Sequence, residues 1–156
     1  IADLGSAEYD YIFSLNVLEH IEDDRAAASA LVAHLKPGGR LFIYVPAFDH
    51  LRTSMDDLVG HRRRYTRKSL VQLLRAAGLE VEQAAYTDFL GYFATLVFRL
   101  LDLFQREPSG RINSRMLIAY DRLAFPVSRL LSIPFARIMG KNVFAVARLP
   151  GDLANR

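Results

Sequence analysis

Two short apolar segments, YIFSL at Tyr11 to Leu15 and RLFIYVP at Arg40 to Pro46, constrain this chain more than any other feature. Each is rich in aromatic, β-branched and aliphatic residues with little polar interruption, which suits a strand buried on both faces of a sheet. Between them, Asp23 to Leu35 places Ala26, Ala30, Leu31 and Leu35 at helical spacing. That helix is expected to stop at KPGG, with Lys36 at its C-terminus and Pro37, Gly38 and Gly39 forcing a turn. Strand, helix and strand joined by short links form a parallel crossover unit. The pattern then restarts. Lys68 to Ala77 puts Leu70, Val71, Leu73, Leu74 and Ala77 on one face behind Thr66 as N-cap, and AGLEVEQAAYT supplies a Gly stop and a third strand. The expected fold class is α/β, a doubly wound sheet.

In such sheets ligands lie at the carboxyl ends of the strands, where loops leave a crevice. Asn16 to His20 follows the first strand and Pro46 to Tyr65 the second, so their polar residues stand where a small molecule would bind. Asn16 could equally cap a turn, and His20 could be a packing residue. Glu22, Asp23 and Asp24 read as helix N-terminal charges favoured by the dipole. The segment SMDDLVGHRRRY gathers Asp57, His61, Arg63, Arg64 and Tyr65 at the end of a connection longer than most links in compact domains. One reading is an acceptor pocket, with Arg gripping a phosphate or carboxylate and His61 accepting a proton. The other is a solvated basic turn, Arg62 to Arg64, paired with Asp56 and Asp57. No metal site is read, because no His or carboxylate partners recur at ligand spacing. The chain has no cysteine, which excludes disulfides, thiolate metal sites and a Cys nucleophile.

With 156 residues, 51% of them hydrophobic, the chain has enough for one domain with a real core. Its net charge of +3 hides a gradient. Residues 1–60 hold four basic and ten acidic side chains, whereas residues 106–156 hold nine basic and three acidic. A basic C-terminal third suits phosphates, anionic lipid or an acidic partner, or is simply a solvated face. Phe89 to Phe104 places Thr95, Arg99 and Asp102 on a narrow polar stripe of an otherwise apolar helix, too short for the roughly twenty residues of a bilayer span. Arg115 to Met139 repeats Arg115, Arg122 and Arg129 and is broken by Pro126 and Pro134. These helices read either as an interfacial surface or lid over a hydrophobic acceptor, or as a helical pair packed on itself and the sheet.

DYIFSLNVLEHIEDD, LKPGGRLFIYVPA, GHRRRYT and LLRAAGLEV, in this order, together with NVFAVARL near the end, resemble the C-terminal half of class I S-adenosylmethionine-dependent methyltransferases. The resemblance implies a Rossmann-like sheet, mostly parallel with an antiparallel last strand, truncated at the N-terminus and carrying a helical insertion over 89–140. Residues 1–156 would then be the C-terminal portion of one methyltransferase domain. It further implies S-adenosyl-L-methionine as cofactor, with Asp3 and Leu4 at the adenine, Asn16 and Val17 along the methionine half, and Glu19 and His20 completing the LEH signature. The acceptor-side residues would be Asp57, Arg63, Arg64 and Tyr65, with His61 as candidate catalytic base. No G-x-G-x-G loop occurs in the chain, so the Gly-rich turn and the ribose-binding carboxylate are expected upstream of Ile1, and the chain alone is expected to be inactive. The sulfonium is already an activated donor, so the protein mainly orients the reactants, and a base is needed only for a hydroxyl or protonated amine.

The function expected is methyl transfer to a small-molecule or lipid-linked acceptor, in the cytoplasm, without nucleic acid, and with peripheral membrane contact through 89–140 as an option. The alternatives are a degenerate or truncated non-catalytic module that binds a partner or membrane surface through the helical insertion, and a different Rossmann-like nucleotide enzyme such as a dehydrogenase.

Overall fold

The computed structural model describes residues 8–102, 122 and 125–151. Strand β1 (Tyr9–Leu15) leads through α1 (Asp24–Val32) to β2 (Leu35–Pro46). A short helix α2 (Ser54–Leu58) and α3 (Arg67–Ala76) precede β3 (Glu80–Thr87). Then come α4 (Phe89–Asp102), α5 (Phe125–Phe135) and β4 (Asn142–Arg148). The strands form a four-stranded sheet in the order β1-β2-β4-β3. β1 and β2 are parallel, and β4 runs antiparallel to both β2 and β3, so the last strand is the one reversed strand of the described sheet.

The core lies on one face of this sheet. Leu41, Ile43 and Val45 of β2 and Val143, Ala145 and Ala147 of β4 meet Ala27, Ala28 and Leu31 of α1 and Leu70, Leu73 and Leu74 of α3 in a single buried cluster. Both helices of the crossover units therefore pack on the same face, and the second helical layer of a doubly wound sheet is not seen among the described residues. On the opposite face Phe42 and Phe144 stack with ring centroids 5.9 Å apart.

Three details differ from the sequence reading. β1 is not buried on both faces: it is an edge of the described sheet, and Tyr11, Phe13 and Leu15 are exposed, because the pleat sends alternate side chains away from the core. KPGG does not end a helix. α1 stops at Val32, and the four residues are absorbed into β2 as an irregular stretch where the register jumps from Tyr9↔Leu35 to Tyr11↔Arg40. Gly38 adopts φ 80°, and a side chain on Gly39 would press on the carbonyls of Lys36 and Tyr9. Finally, Pro134 does not break the second helical stretch: it lies inside α5, in the last turn. Pro126 is the second residue of α5, and the two residues before α5 lie outside the described residues. Arg115 and the rest of 103–121 lie outside the described residues.

The helical pair does pack. Phe89 of α4 stacks on Phe135 of α5 at 4.4 Å, and the Tyr86 N–H of β3 donates to the Ala136 carbonyl at 2.6 Å. Its outer flank nevertheless leaves Val97, Leu100, Leu130, Ile133 and Ile138 more than half exposed. Among the described residues, no helix is long and apolar enough to cross a membrane.

Candidate active site at the strand ends

Each of the three codirectional strands ends in a residue with left-handed backbone: Asn16 (φ 50°), Phe48 (φ 57°) and Asp88 (φ 60°). Asn and Asp tolerate that region through their short polar side chains, whereas for Phe it is an outlier that surrounding packing must hold. Phe48 is stacked on Tyr86 at 4.6 Å and on His50 at 5.0 Å. Asp88, buried, accepts from the Gly91 N–H at 3.0 Å and from the Ser128 hydroxyl at 2.8 Å, which ties the start of α4 to α5. Any side chain at Gly91 would collide with that carboxylate. The Asn16 N–H donates to the Tyr44 carbonyl at 2.8 Å, and the chain then closes into a short turn, Leu18–His20, that buries Leu18 and Glu19.

The connection after β2 is organised around Asp56. Thr53-Ser54-Met55-Asp56 forms a capping box at the start of α2, in which the Thr53 N–H donates to Asp56 Oδ2 at 2.8 Å. Arg64 grips the same carboxylate with its planar fork, Nε to Oδ1 at 2.8 Å and Nη2 to Oδ2 at 2.9 Å, while Nη1 donates to the Ala47 carbonyl at 3.0 Å. His61 Nδ1 lies 2.7 Å from Asp56 Oδ1. Burial alone would raise the Asp56 carboxyl, but the hydrogen bonds from Arg64, His61 and Thr53 outweigh it and hold the group well below its ordinary value of 3.8. An ionised carboxylate only accepts, so Nδ1 carries the ring proton, and in the neutral ring the lone pair is on Nε2. Glu19 is the opposite case. Its burial pushes the carboxyl up, against smaller lowering effects from its own nearby backbone N–H, His61, His20 and Arg64.

Asn16, Tyr44 and Pro46 at the sheet, Asp56, His61 and Arg64 from the connection, and Ala94, Thr95 and Phe98 of α4 surround a cavity of about 540 Å³, closed on a further side by Lys141 and Asn142. This volume is within the range of ligand pockets. Of the residues singled out from sequence, Asn16, His61 and Arg64 are brought together here. The others are not. Asp57 is exposed and paired with Arg52 at 2.6 Å, Arg63 turns to Asp24 at 2.9 Å, and Tyr65 is buried with its hydroxyl donating to Asp24 at 2.9 Å. Val17, Glu19 and His20 lie outside the cavity lining, and Asp3 and Leu4 lie outside the described residues. Arg64 itself is spent on Asp56 and Ala47, so it braces the wall rather than reaching for an anion.

Sequence reading missed Asp56 as the centre of the site, although Thr-x-x-Asp is a capping-box signature that could have flagged it. It also missed Tyr44, Lys141 and Asn142. Lys141 lines this wall, and no ion pair of its side chain is found among the described residues.

A family model described as a methyltransferase domain matches residues 2–84. The chain belongs to that methyltransferase family. An S-adenosylmethionine-dependent methyltransferase from Thermotoga maritima superposes with a TM-score of 0.56 at 14% identity, covering 94% of this chain and 59% of that one. The chain solved with the Trm112 methyltransferase activator of Haloferax volcanii gives 0.55 at 15% identity, covering 95% and 58%. The [4+2]-cyclase SpnF gives 0.53 at 19%, covering 94% and 51%. These likenesses show the Rossmann-like methyltransferase fold, and the cyclase shows that the fold is not tied to one reaction. The chain spans little more than half the length of these proteins. No curated protein matches it.

Removing one partner of the buried pair should expose the difference between the two arginines of the connection. Arg64→Ala leaves the Asp56 charge buried and should cost about 3–5 kcal/mol in urea unfolding, whereas Arg52→Ala, which loses an exposed pair and one hydrogen bond to the His61 carbonyl, should cost about 1–2 kcal/mol. Equal losses would mean that Asp56 is not the brace of this wall.

Proposed function

We propose that the protein transfers a methyl group from S-adenosyl-L-methionine to a small-molecule or lipid-linked acceptor held in the cavity at the strand ends. The observation that carries this reading is the convergence of Asn16, at the exit of β1, with His61 and Lys141 on one ligand-sized cavity in a chain of the methyltransferase family. The residues present fit the amino-acid half of that cofactor: the Asn16 amide can both donate and accept, and its left-handed backbone opens the strand end toward the cavity. Asp3 and Leu4 would hold the adenine. The cofactor supplies a methyl group already activated by its sulfonium.

What the chain's own residues contribute is placement and proton handling. Lys141 would bind an anionic group of the acceptor, while Phe98, Ala94 and Val59 exclude water from its apolar part. His61, oriented through Nδ1 by Asp56, keeps the Nε2 lone pair of the neutral ring unclaimed by Asp56, with Glu19 3.8 Å away, and is the candidate base for a hydroxyl or ammonium acceptor. The exposed apolar residues of α4, the helix that lines the cavity with Ala94, Thr95 and Phe98, favour a lipid-linked acceptor over a wholly soluble one.

In the whole protein, Asp3→Ala should weaken S-adenosylmethionine binding by about ten- to a hundredfold by calorimetry, through loss of one charge-assisted hydrogen bond. His61→Ala should leave that affinity nearly intact and lower kcat for transfer of a labelled methyl group. Absence of any S-adenosylmethionine binding to the wild-type protein would contradict the reading.

Flotation with anionic vesicles tests the membrane side of the proposal. The protein should float at low salt and less so at high salt, because cations beside an apolar flank attract anionic lipid within a Debye length. Failure to float at either salt would leave a soluble acceptor.

A further inference from the structure

Among the buried side chains described, Glu19 stands apart: it has no exposed surface, and neither of its carboxylate oxygens has a hydrogen-bond partner. Buried polar groups are nearly always satisfied, so such an orphan points to something that belongs beside it. Two imidazoles are there. His61 Nε2 lies 3.8 Å from Glu19 Oε1, and the rings of His20 and His61 meet edge to face at 4.7 Å. One donor atom from each of Glu19, His20 and His61 falls within 4.8 Å of the other two.

The orientation of His61 is the second, independent observation. Its Nδ1 is taken by Asp56, so the lone pair of the neutral ring is on Nε2, the nitrogen that faces Glu19. Asp56 is in turn fixed by Arg64 and Thr53. A carboxylate behind a histidine, holding its tautomer and ring plane, is the supporting arrangement found behind metal-ligating imidazoles.

We propose that Glu19, His20 and His61 bind a divalent transition-metal ion, of the zinc or iron(II) type, behind the His61 wall of the cavity. Two imidazoles and one carboxylate leave coordination positions open and select zinc, iron or manganese over magnesium and calcium, which prefer all-oxygen sets. Donors bound at about 2.1 Å in tetrahedral geometry stand about 3.4 Å apart, so the present cluster needs only small side-chain rotations to close on an ion. The set is invisible to spacing rules because His61 comes from far downstream of the adjacent pair Glu19-His20 and is brought back by the Arg62 N–H, which donates to the Glu19 carbonyl at 2.8 Å.

The consequence for chemistry rests on the methyl-transfer reading: with the ion bound, the Nε2 lone pair is committed, and His61 no longer accepts a proton from the acceptor.

Calorimetric titration of the tag-free, chelator-dialysed whole protein with Zn2+ alone, at neutral pH, tests the site. One ion per chain is expected to bind with micromolar or tighter affinity, with no heat from Mg2+ at the same concentrations. Glu19→Gln and His20→Ala should each weaken Zn2+ at least tenfold while circular dichroism stays that of the folded protein. If Glu19→Gln does not fold, His20→Ala decides alone. No stoichiometric Zn2+ binding, or wild-type affinity in a folded variant, overturns the proposal. Zn2+ binding without S-adenosylmethionine binding would leave this site standing and remove the methyl-transfer reading, and the reverse result would do the opposite.

Discussion

The carboxylate of Asp56 is the contact on which the strand-end site depends. A buried ionised carboxylate is costly unless its lone pairs are filled, and here donors from Thr53, His61 and Arg64 fill them. Each partner lies in a different part of the connection that follows β2, so one charge draws Thr53, His61 and Arg64 into a single wall. Arg64 extends the brace to the Ala47 carbonyl, next to the point where Ala47 bridges Tyr65 and the connection rejoins the sheet. Without this anchor, nothing in the local sequence would keep a polar connection of such length in one conformation.

The sheet supplies the rest by geometry. Because β4 runs between β2 and β3 in the opposite sense, its first residues, Asn142 and the preceding Lys141, arrive at the same end of the sheet where β1, β2 and β3 finish. That reversal is why a cation from near the end of the chain faces an asparagine from near its start. The left-handed residues at the three strand exits turn the chain sharply enough to leave space between sheet and α4, and the Asp88–Ser128 contact holds the roof of that space to α5.

The parts of this arrangement legible in the sequence were those governed by local pattern. Apolar runs located β1 and β2, a Gly stop after a helical pattern located β3, helical spacing located α1 and α3, and the strand-end rule pointed to the end of the sheet where Asn16 and His61 line a cavity. Chain reversal was legible only through the resemblance of NVFAVARL to a last strand. Edge exposure of β1 was legible only through the resemblance, which implies that the strand's outer neighbours belong to sequence other than this chain, because YIFSL by itself is equally compatible with the centre and the rim of a sheet. The fate of the basic turn was unreadable for a related reason. Arg62, Arg63 and Arg64 look alike in sequence, yet Arg63 turns to Asp24 and Arg64 to Asp56, since successive side chains of an extended segment point to opposite sides. The meeting of Glu19 and His20 with His61 is tertiary in origin and leaves no periodic trace.

The most direct test of this account is the tautomer of His61, since both the proton-accepting and the ion-binding roles need its Nε2 bare and directed away from Asp56. A long-range 1H–15N correlation spectrum of the whole protein, taken after chelation and at a pH where the ring is neutral, with His61→Ala for assignment, reports which nitrogen carries the proton. The account predicts protonation at Nδ1, and a switch of that pattern in Asp56→Asn, whose amide can turn either a donor or an acceptor to the ring. A neutral ring protonated at Nε2 in the wild-type protein would contradict it, because Asp56 would then not hold His61 and the wall of the cavity would be built some other way.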